Sequence, residues 1–388
     1  MGPPILPGES RDGKTGEKLQ RIRLDVTEFR CKVLLGCAGM KRIPSLDGLR
    51  AISILLVVIG HWAELRYHSD VAGAFANLGV RIFFVISGYL ITTLLLQEQN
   101  RTLTIELREF YVRRGYRILP AAFAFMLVAF VMFWPELRWY HMAAAALYVA
   151  NFDWAHPWFL GHLWSLSVEE QFYFLWPGVL KRWHRHRVAI LVGVVLTAPL
   201  YRVACHLAGL HGRADETFPA VADVLAIGCL LAIFGQTAGI PTLSREMREK
   251  RVGQAMRVNG VLAATMLVPV ALVPVYLGHL HFHLTPLMLF VFWPVMHLSI
   301  AGLILHAVQK PYWILNVRPL AWLGKISYSL YLWQQLFVFG EQAKPWYYIG
   351  FALLAASASY YLIELPMLRL REVRSAEKRL AAQMAAAA

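Results

Sequence analysis

The chain has 388 residues, of which 58% are hydrophobic and only 16% charged, against about 45–50% and about 25% in soluble domains. That excess argues against a soluble enzyme. The formal net charge of +14 suggests a nucleic-acid binder until its distribution is seen: the basic residues sit in short loops between apolar blocks, a pattern of membrane topology rather than of nucleic-acid recognition.

Residues 1–42 read as a cytoplasmic basic N-terminal arm rich in Gly, Pro, Lys and Arg, with a surface helix expected within 20–37. It has no early apolar core of the kind a cleavable signal peptide carries. Apolar blocks of about 20 residues follow, the length that crosses about 30 Å of hydrocarbon. They predict spans near 49–65, 75–96, 116–134, 162–180, 188–208, 217–236, 258–277, 285–307, 319–340 and 347–366. Residues 139–153 are apolar but short, and predict a re-entrant or interfacial piece. If that piece does not cross, all but six of the 38 Lys and Arg fall on one side, the six being Arg66, Arg81, Arg138, Arg202, Arg213 and Lys344. The positive-inside bias then makes the crowded side cytoplasmic. The expectation is an all-α integral membrane bundle of about ten helices over 43–370, with a cytoplasmic tail at 371–388 and both termini inside. Cys31, Cys37, Cys205 and Cys229 have neither disulfide nor zinc spacing and read as plain thiols.

Ionisable groups at membrane depth are expensive and tend to be functional. His61, Arg81, Glu169, Glu170, Arg202, Asp223, Lys325 and Glu364 fall within or at the ends of predicted spans. For Arg202, Asp223 and Lys325 the expected role is pairing that holds helices together. Arg50 and His61 are eleven positions apart, which returns to within about 20° of one helical face with an axial rise of about 16 Å. A guanidinium at the cytoplasmic surface and an imidazole about halfway through thus share a stripe, and imidazole suits taking and returning a proton.

In the run His162 to Pro177, the residues His162, Ser165, Glu169 and Tyr173 recur on one helical face, with Ser167 and Glu170 beside them. Two adjacent carboxylates at that depth call for a cation or a proton. They are candidates to orient and charge-stabilise His61, as carboxylates do for histidine bases; the structural alternative is a buried network with Arg81 or His162. Arg114 and Arg117 share a face where the third span is expected to begin, suited to phosphate oxygens through their forks and the helix N-terminus. The structural alternative is positive-inside anchoring. Ser87 and Gly88, in mid-span, read as close-packing residues.

Together these stretches resemble the acyltransferase-3 family of integral membrane O-acyltransferases. The likeness rests on L-D-G-L-R-A at 46–51 with His61, G-V-R-I-F-F-V-I-S-G-Y-L-I at 79–91, R-R-G-Y-R-I-L-P at 113–120, H-L-W-S-L-S-V-E-E-Q-F-Y at 162–173, G-K-I-S-Y-S-L-Y-L-W at 324–333 and I-E-L-P at 363–366. The resemblance implies a bacterial inner-membrane enzyme that moves an acyl group, most often acetyl, from cytoplasmic acyl-CoA to a carbohydrate or lipid-linked sugar, with no metal and no nucleic acid. It maps an arginine–histidine pair onto Arg50 and His61, an arginine pair onto Arg114 and Arg117, and a serine–glutamate motif onto Ser165 to Glu170. The expected catalytic set is His61, Glu169, Glu170 and Ser165; the expected donor-binding set is Arg50, Arg114 and Arg117.

Three positions depart from the family pattern and bear on the acceptor. Arg81 stands where many members that modify polysaccharides carry an acid, Val221 where an arginine is frequent, and Gln334 where a histidine is frequent. The sequence stops at 388, without the extracytoplasmic SGNH-type domain fused to some members, so either transfer is completed alone or a separate extracytoplasmic transferase takes part. The rival reading is a transporter or flippase, since intramembrane acids and histidines also build proton relays. No inverted repeat of the transporter kind is visible.

Overall fold

A computed structural model describes residues 45–153, 155–210, 216–237, 265, 270, 286–309, 312–338 and 344–387. The expected N-terminal arm, Cys31, Cys37 and nearly all of the span near 258–277 lie outside the described residues.

Every regular element among the described residues is helical. In chain order they are α1 (Leu46–Tyr67), α2 (Asp70–Thr102), α3 (Leu107–Met132), α4 (Trp139–Ala146), α5 (Leu163–Arg182), α6 (Arg187–Leu207), α7 (Phe218–Thr237), α8 (Pro286–Gln309), α9 (Arg318–Lys325), α10 (Ser327–Val338), α11 (Tyr348–Ser359) and α12 (Leu365–Ala387), with a π-turn over Tyr360–Glu364 joining the last two. Among the described residues, seven helices are long and apolar enough to cross a membrane: α1, α2, α3, α6, α7, α8 and the continuous α11–α12 rod. The chain is therefore a multi-pass membrane protein. Of the three expected spans not among these seven, the one near 258–277 lies outside the described residues, and the other two are missing for physical reasons. The piece near 162–180 is a full helix, α5, but it carries Glu169, Glu170, Lys181 and Arg182 and so lacks an apolar run. The piece near 319–340 is split at Ile326 into α9 and α10.

Helix bounds also differ from expectation. Ser69 accepts a hydrogen bond from the Ala72 backbone N–H and caps α2. From there α2 runs for 33 residues, about 50 Å at 1.5 Å per residue. Helix α3 starts at Leu107 rather than near Tyr116, so Arg114 and Arg117 sit about two and about three turns inside it and no N-terminal dipole acts on them. Residues 139–153 form α4, eight residues long, and a one-turn 3₁₀ helix at Ala150–Phe152, too short to cross. The expected tail is helical as far as Ala387.

The core is built around α2, which packs on α1 along one side and on α7 along another. The α2–α7 crossing is as close as backbones permit: a Cβ added at Gly88 would strike the Leu225 carbonyl, and one at Gly228 would strike that of Val85. Close approach through small residues is how membrane helices associate where water supplies no drive. At one end of the bundle the charged loops meet: Arg113 pairs with Glu98 at 2.7 Å, and Lys181 donates to the Ile105 carbonyl at 2.7 Å.

Candidate active site

Helices α1, α2, α3, α5 and α10 enclose a cavity of about 130 Å³. Arg50 from α1, Ser87 from α2, Arg114 and Arg117 from α3, Ser165, Glu169 and Tyr173 from α5, and Tyr328 and Tyr331 from α10 all line it. Residues drawn from sequence positions 50 to 331 thus converge on one space, including the three expected donor-binding arginines and two of the four expected catalytic residues.

Its charges are of two kinds. Arg114 is spoken for: it reaches Glu170 through Nε at 3.2 Å and through a terminal nitrogen at 3.1 Å, and its guanidinium lies 3.1 Å from the centroid of the Tyr173 ring. Arg50 and Arg117 make no hydrogen bond or ion pair with any described residue. Each feels the other's positive charge, with Glu169 near Arg50 and Glu364 within electrostatic reach of both. Two like-charged forks with unused donors, side by side at a buried cavity, form a site for an anion. Glu364, buried in the π-turn, accepts from the Ser329 hydroxyl at 3.1 Å.

The glutamates therefore lie with the arginines. Glu169 accepts a 2.6 Å hydrogen bond from the Ser87 hydroxyl, so Ser87 does more than permit packing, while its neighbour Gly88 has the close-packing role expected. Arg81, the other structural partner considered for the acids, points elsewhere: its Nη1 meets His297 Nε2 at 2.9 Å, its Nε donates to Asn77 at 2.7 Å, and it stacks 3.5 Å from the Trp293 centroid.

One turn up α5 from Ser165 the chemistry changes. His162 is the N-cap of α5 rather than part of its first turn. Its carbonyl collects hydrogen bonds from Ser165 Oγ at 3.2 Å and Tyr331 OH at 2.9 Å, and those two hydroxyls lie 2.5 Å apart. The His162 ring is buried edge-on to Phe125 and Tyr331. Neither ring nitrogen has a hydrogen-bond partner in good geometry among the described residues, although the Leu332 carbonyl stands near. His61 lies within electrostatic reach of His162 and against the side chain of Gln334. The arrangement is a polar column with guanidinia at one end, a carboxylate and hydroxyls between, and two imidazoles at the other.

Sequence reasoning missed His297 and the direct parts of Ser87, Tyr331 and Gln334. Gln334 was visible only as a departure from the family pattern. Tyr331 lies one turn from Tyr328, and that i, i+3 spacing on an apolar helix was the available signal.

The acyltransferase-3 family model, described as an acyltransferase domain, matches residues 43–364. The chain belongs to this acyltransferase family. It is 28% identical to the peptidoglycan O-acetyltransferase OatA of Listeria monocytogenes over 76% of this chain and 49% of that one. It is 31% identical to the putative peptidoglycan O-acetyltransferase YrhL of Bacillus subtilis over 75% and 48%, and 30% identical to the O-acetyltransferase OatA of Staphylococcus aureus over 84% and 57%. The chain thus spans about half the length of these relatives. No solved structure matches.

Proposed function

We propose that this protein is a membrane O-acetyltransferase that takes an acetyl group from acyl-CoA at the cytoplasmic face and delivers it to a hydroxyl of a carbohydrate acceptor. The observation that carries the reading is the pair Arg50 and Arg117, unbonded to described residues in the cavity that also holds Ser165, Glu169 and Tyr331. The names of the relatives favour acetyl as the group moved and a cell-wall glycan as the kind of acceptor.

In this scheme Arg50 and Arg117 hold phosphate oxygens of the donor, and Glu170 keeps Arg114 oriented beside them. The pantetheine arm extends along the cavity toward Ser165, Tyr331 and the histidines. His61 takes the acceptor's hydroxyl proton as the oxygen attacks the thioester carbonyl; the carbon–sulfur bond breaks and the thiolate receives that proton back from the imidazolium. In the two-step version the acyl group rests on the imidazole before the acceptor displaces it. Gln334 acts through His61 as a positioning residue. Cytoplasmic termini and an inner-membrane location complete the proposal, on the strength of the loop charges.

The test is thermal stabilisation of the detergent-purified protein by acetyl-CoA. The wild type is expected to gain melting temperature with donor, and the Arg50→Gln/Arg117→Gln double variant to lose that gain while melting as before without ligand. Undiminished stabilisation of the double variant overturns the donor site.

A further inference from the structure

A second cavity of about 370 Å³ lies on the other side of Arg114, Ile118 and Tyr173, which line both spaces and form the wall between them. Its floor is polar, made by Arg114, Glu170, Gln171 and Tyr148. Its rim is apolar and turned outward: Leu147 is 72% exposed, Phe174 70%, and Leu119 39%. On a multi-pass membrane protein such side chains face hydrocarbon, so the mouth opens sideways into the bilayer. Glu170 to Phe174 lie in the middle of α5, about two to three turns from its charged end at Lys181 and Arg182.

Two details indicate that the cavity has an occupant. Tyr148 adopts φ 55°, a backbone conformation rare for a bulky residue. The kink leaves Leu147 and Val149 on the outside and turns the Tyr148 ring in between them. Its carbonyl is fixed by Gln171 Nε2 at 2.9 Å, and the same nitrogen donates to Asn151 at 2.8 Å. The Tyr148 hydroxyl is nonetheless buried with no hydrogen-bond partner among the described residues, and a buried hydroxyl left without a partner is costly where no water reaches it. The floor's one cation and one anion already bond each other, so it offers no net charge to a charged ligand.

From this we infer that the lateral cavity binds a membrane amphiphile: a hydrocarbon chain entering between Leu147, Leu119 and Phe174, carrying an uncharged oxygen function, a hydroxyl or an ester, that pairs with Tyr148. The binding claim stands without the acetyl-transfer reading; only a role for that amphiphile as an acceptor, one Arg114–Tyr173 wall away from the donor cavity, rests on it.

The test uses the full chain in nanodiscs with three photoactivatable sixteen-carbon probes, a diazirine-bearing alcohol, its hydrocarbon analogue and its carboxylic acid, mapped by mass spectrometry. The alcohol is expected to label 147–149 and 170–174 at least several-fold above the other two probes. Tyr148→Phe, which keeps the volume, should erase that preference, and Leu147→Trp should block labelling by all three. Equal labelling by alcohol and hydrocarbon in the wild type, or a preference that survives in Tyr148→Phe, means that only bilayer chains occupy the groove and overturns the inference. Preferential labelling by the acid overturns the uncharged assignment. Acetyl-CoA stabilisation measured on the same samples separates the two readings: its loss with labelling intact defeats the donor site and leaves the side cavity standing.

Discussion

Two groups of buried charge lie in this bundle, and they are built on opposite terms. In the first, Arg202 of α6 forks onto Asp223 of α7 at 3.1 and 2.9 Å, and also donates to the Ala220 carbonyl. His297 of α8 meets the same Asp223 carboxylate at 3.1 Å, and Arg81 of α2 closes the chain on the far side of the imidazole. All four are buried, Asp223 and His297 completely. In the second group, around the donor cavity, Arg114 is satisfied by Glu170, but Arg50 and Arg117 offer donors that no described residue takes, and the His162 nitrogens have no partner in good geometry among the described residues. Counting charges does not separate the two groups. What the charges bond to does: in the first group every charged side chain is bonded to another and only Arg202 Nε is left without a partner among the described residues, so the network joins helices, whereas whole guanidinia left unbonded around a space wait for a substrate.

That distinction is broken or upheld most decisively at His61. His61→Ala is expected to lower acetyl transfer by about 10²–10⁴-fold, the range of a general base, with the protein still inserted and its melting temperature little changed. Turnover surviving near wild-type level in a membrane assay with labelled acetyl-CoA would remove the chemical end of the column. At the Arg202–Asp223–His297–Arg81 cluster the sign of the comparison reverses. Asp223→Ala leaves Arg202 buried without its anion, which costs about 3–5 kcal/mol where one partner of a buried pair is removed. The expected result is a large drop in melting temperature and in folded yield, with transfer per folded molecule retained. The double variant Arg202→Met/Asp223→Leu should recover much of the lost stability, because replacing both partners by apolar groups of similar volume is often near neutral. If Asp223→Ala keeps its stability but loses turnover, the cluster is functional and the comparison fails.

Glu169→Gln sits between these extremes. It removes the charge that faces Arg50 and weakens the bond from Ser87. Hydrogen bonds to charged groups contribute about 1.5–3 kcal/mol, so the expected loss is about ten- to a hundred-fold in kcat/KM. Because Glu169 lies in the donor cavity, the loss should appear mainly as a raised KM for acetyl-CoA. A pure kcat effect with unchanged KM would move Glu169 back to the imidazole, where sequence reasoning first placed it.

The sequence carried the helices well where apolar length set them and poorly where polar function interrupted them. Helices α1, α6, α7 and α8 lie where the hydropathy put them, because burying about 20 apolar side chains in lipid leaves few alternatives. Helix α5 also lies where expected, but Glu169 and Glu170 keep it from reading as an apolar span, and α9–α10 break at Ile326, just after Gly324, which abuts the Asp47 carbonyl. Convergence of Arg50, Arg114, Arg117, Ser165 and Glu169 was legible as separate stripes of one face each. Which acid meets which base was not, since a stripe gives a direction and not a partner: Glu170 found Arg114, Glu169 found Ser87, and Arg81 found a histidine more than 200 positions away.

Ser87 tests the comparison at its finest grain. The hydroxyl is buried, donates to Glu169 at 2.6 Å and lines the cavity, so Ser87→Ala withdraws one donor without changing a charge or opening a large void. Side-chain hydrogen bonds inside membrane bundles average about 0.6 kcal/mol, and a loss of that size is about three-fold in rate or affinity. If Ser87 merely lets α2 approach its neighbours, alanine serves as well and nothing measurable happens, since Gly88 already makes the close contact with Leu225. If it fixes the carboxylate for the donor site, the three-fold loss should fall on the KM for acetyl-CoA. It should also disappear in the Glu169→Gln background, where the partner it serves is gone. Losses that simply add in the double variant would show that Ser87 and Glu169 act separately, and the bond between them would then be packing rather than part of the site.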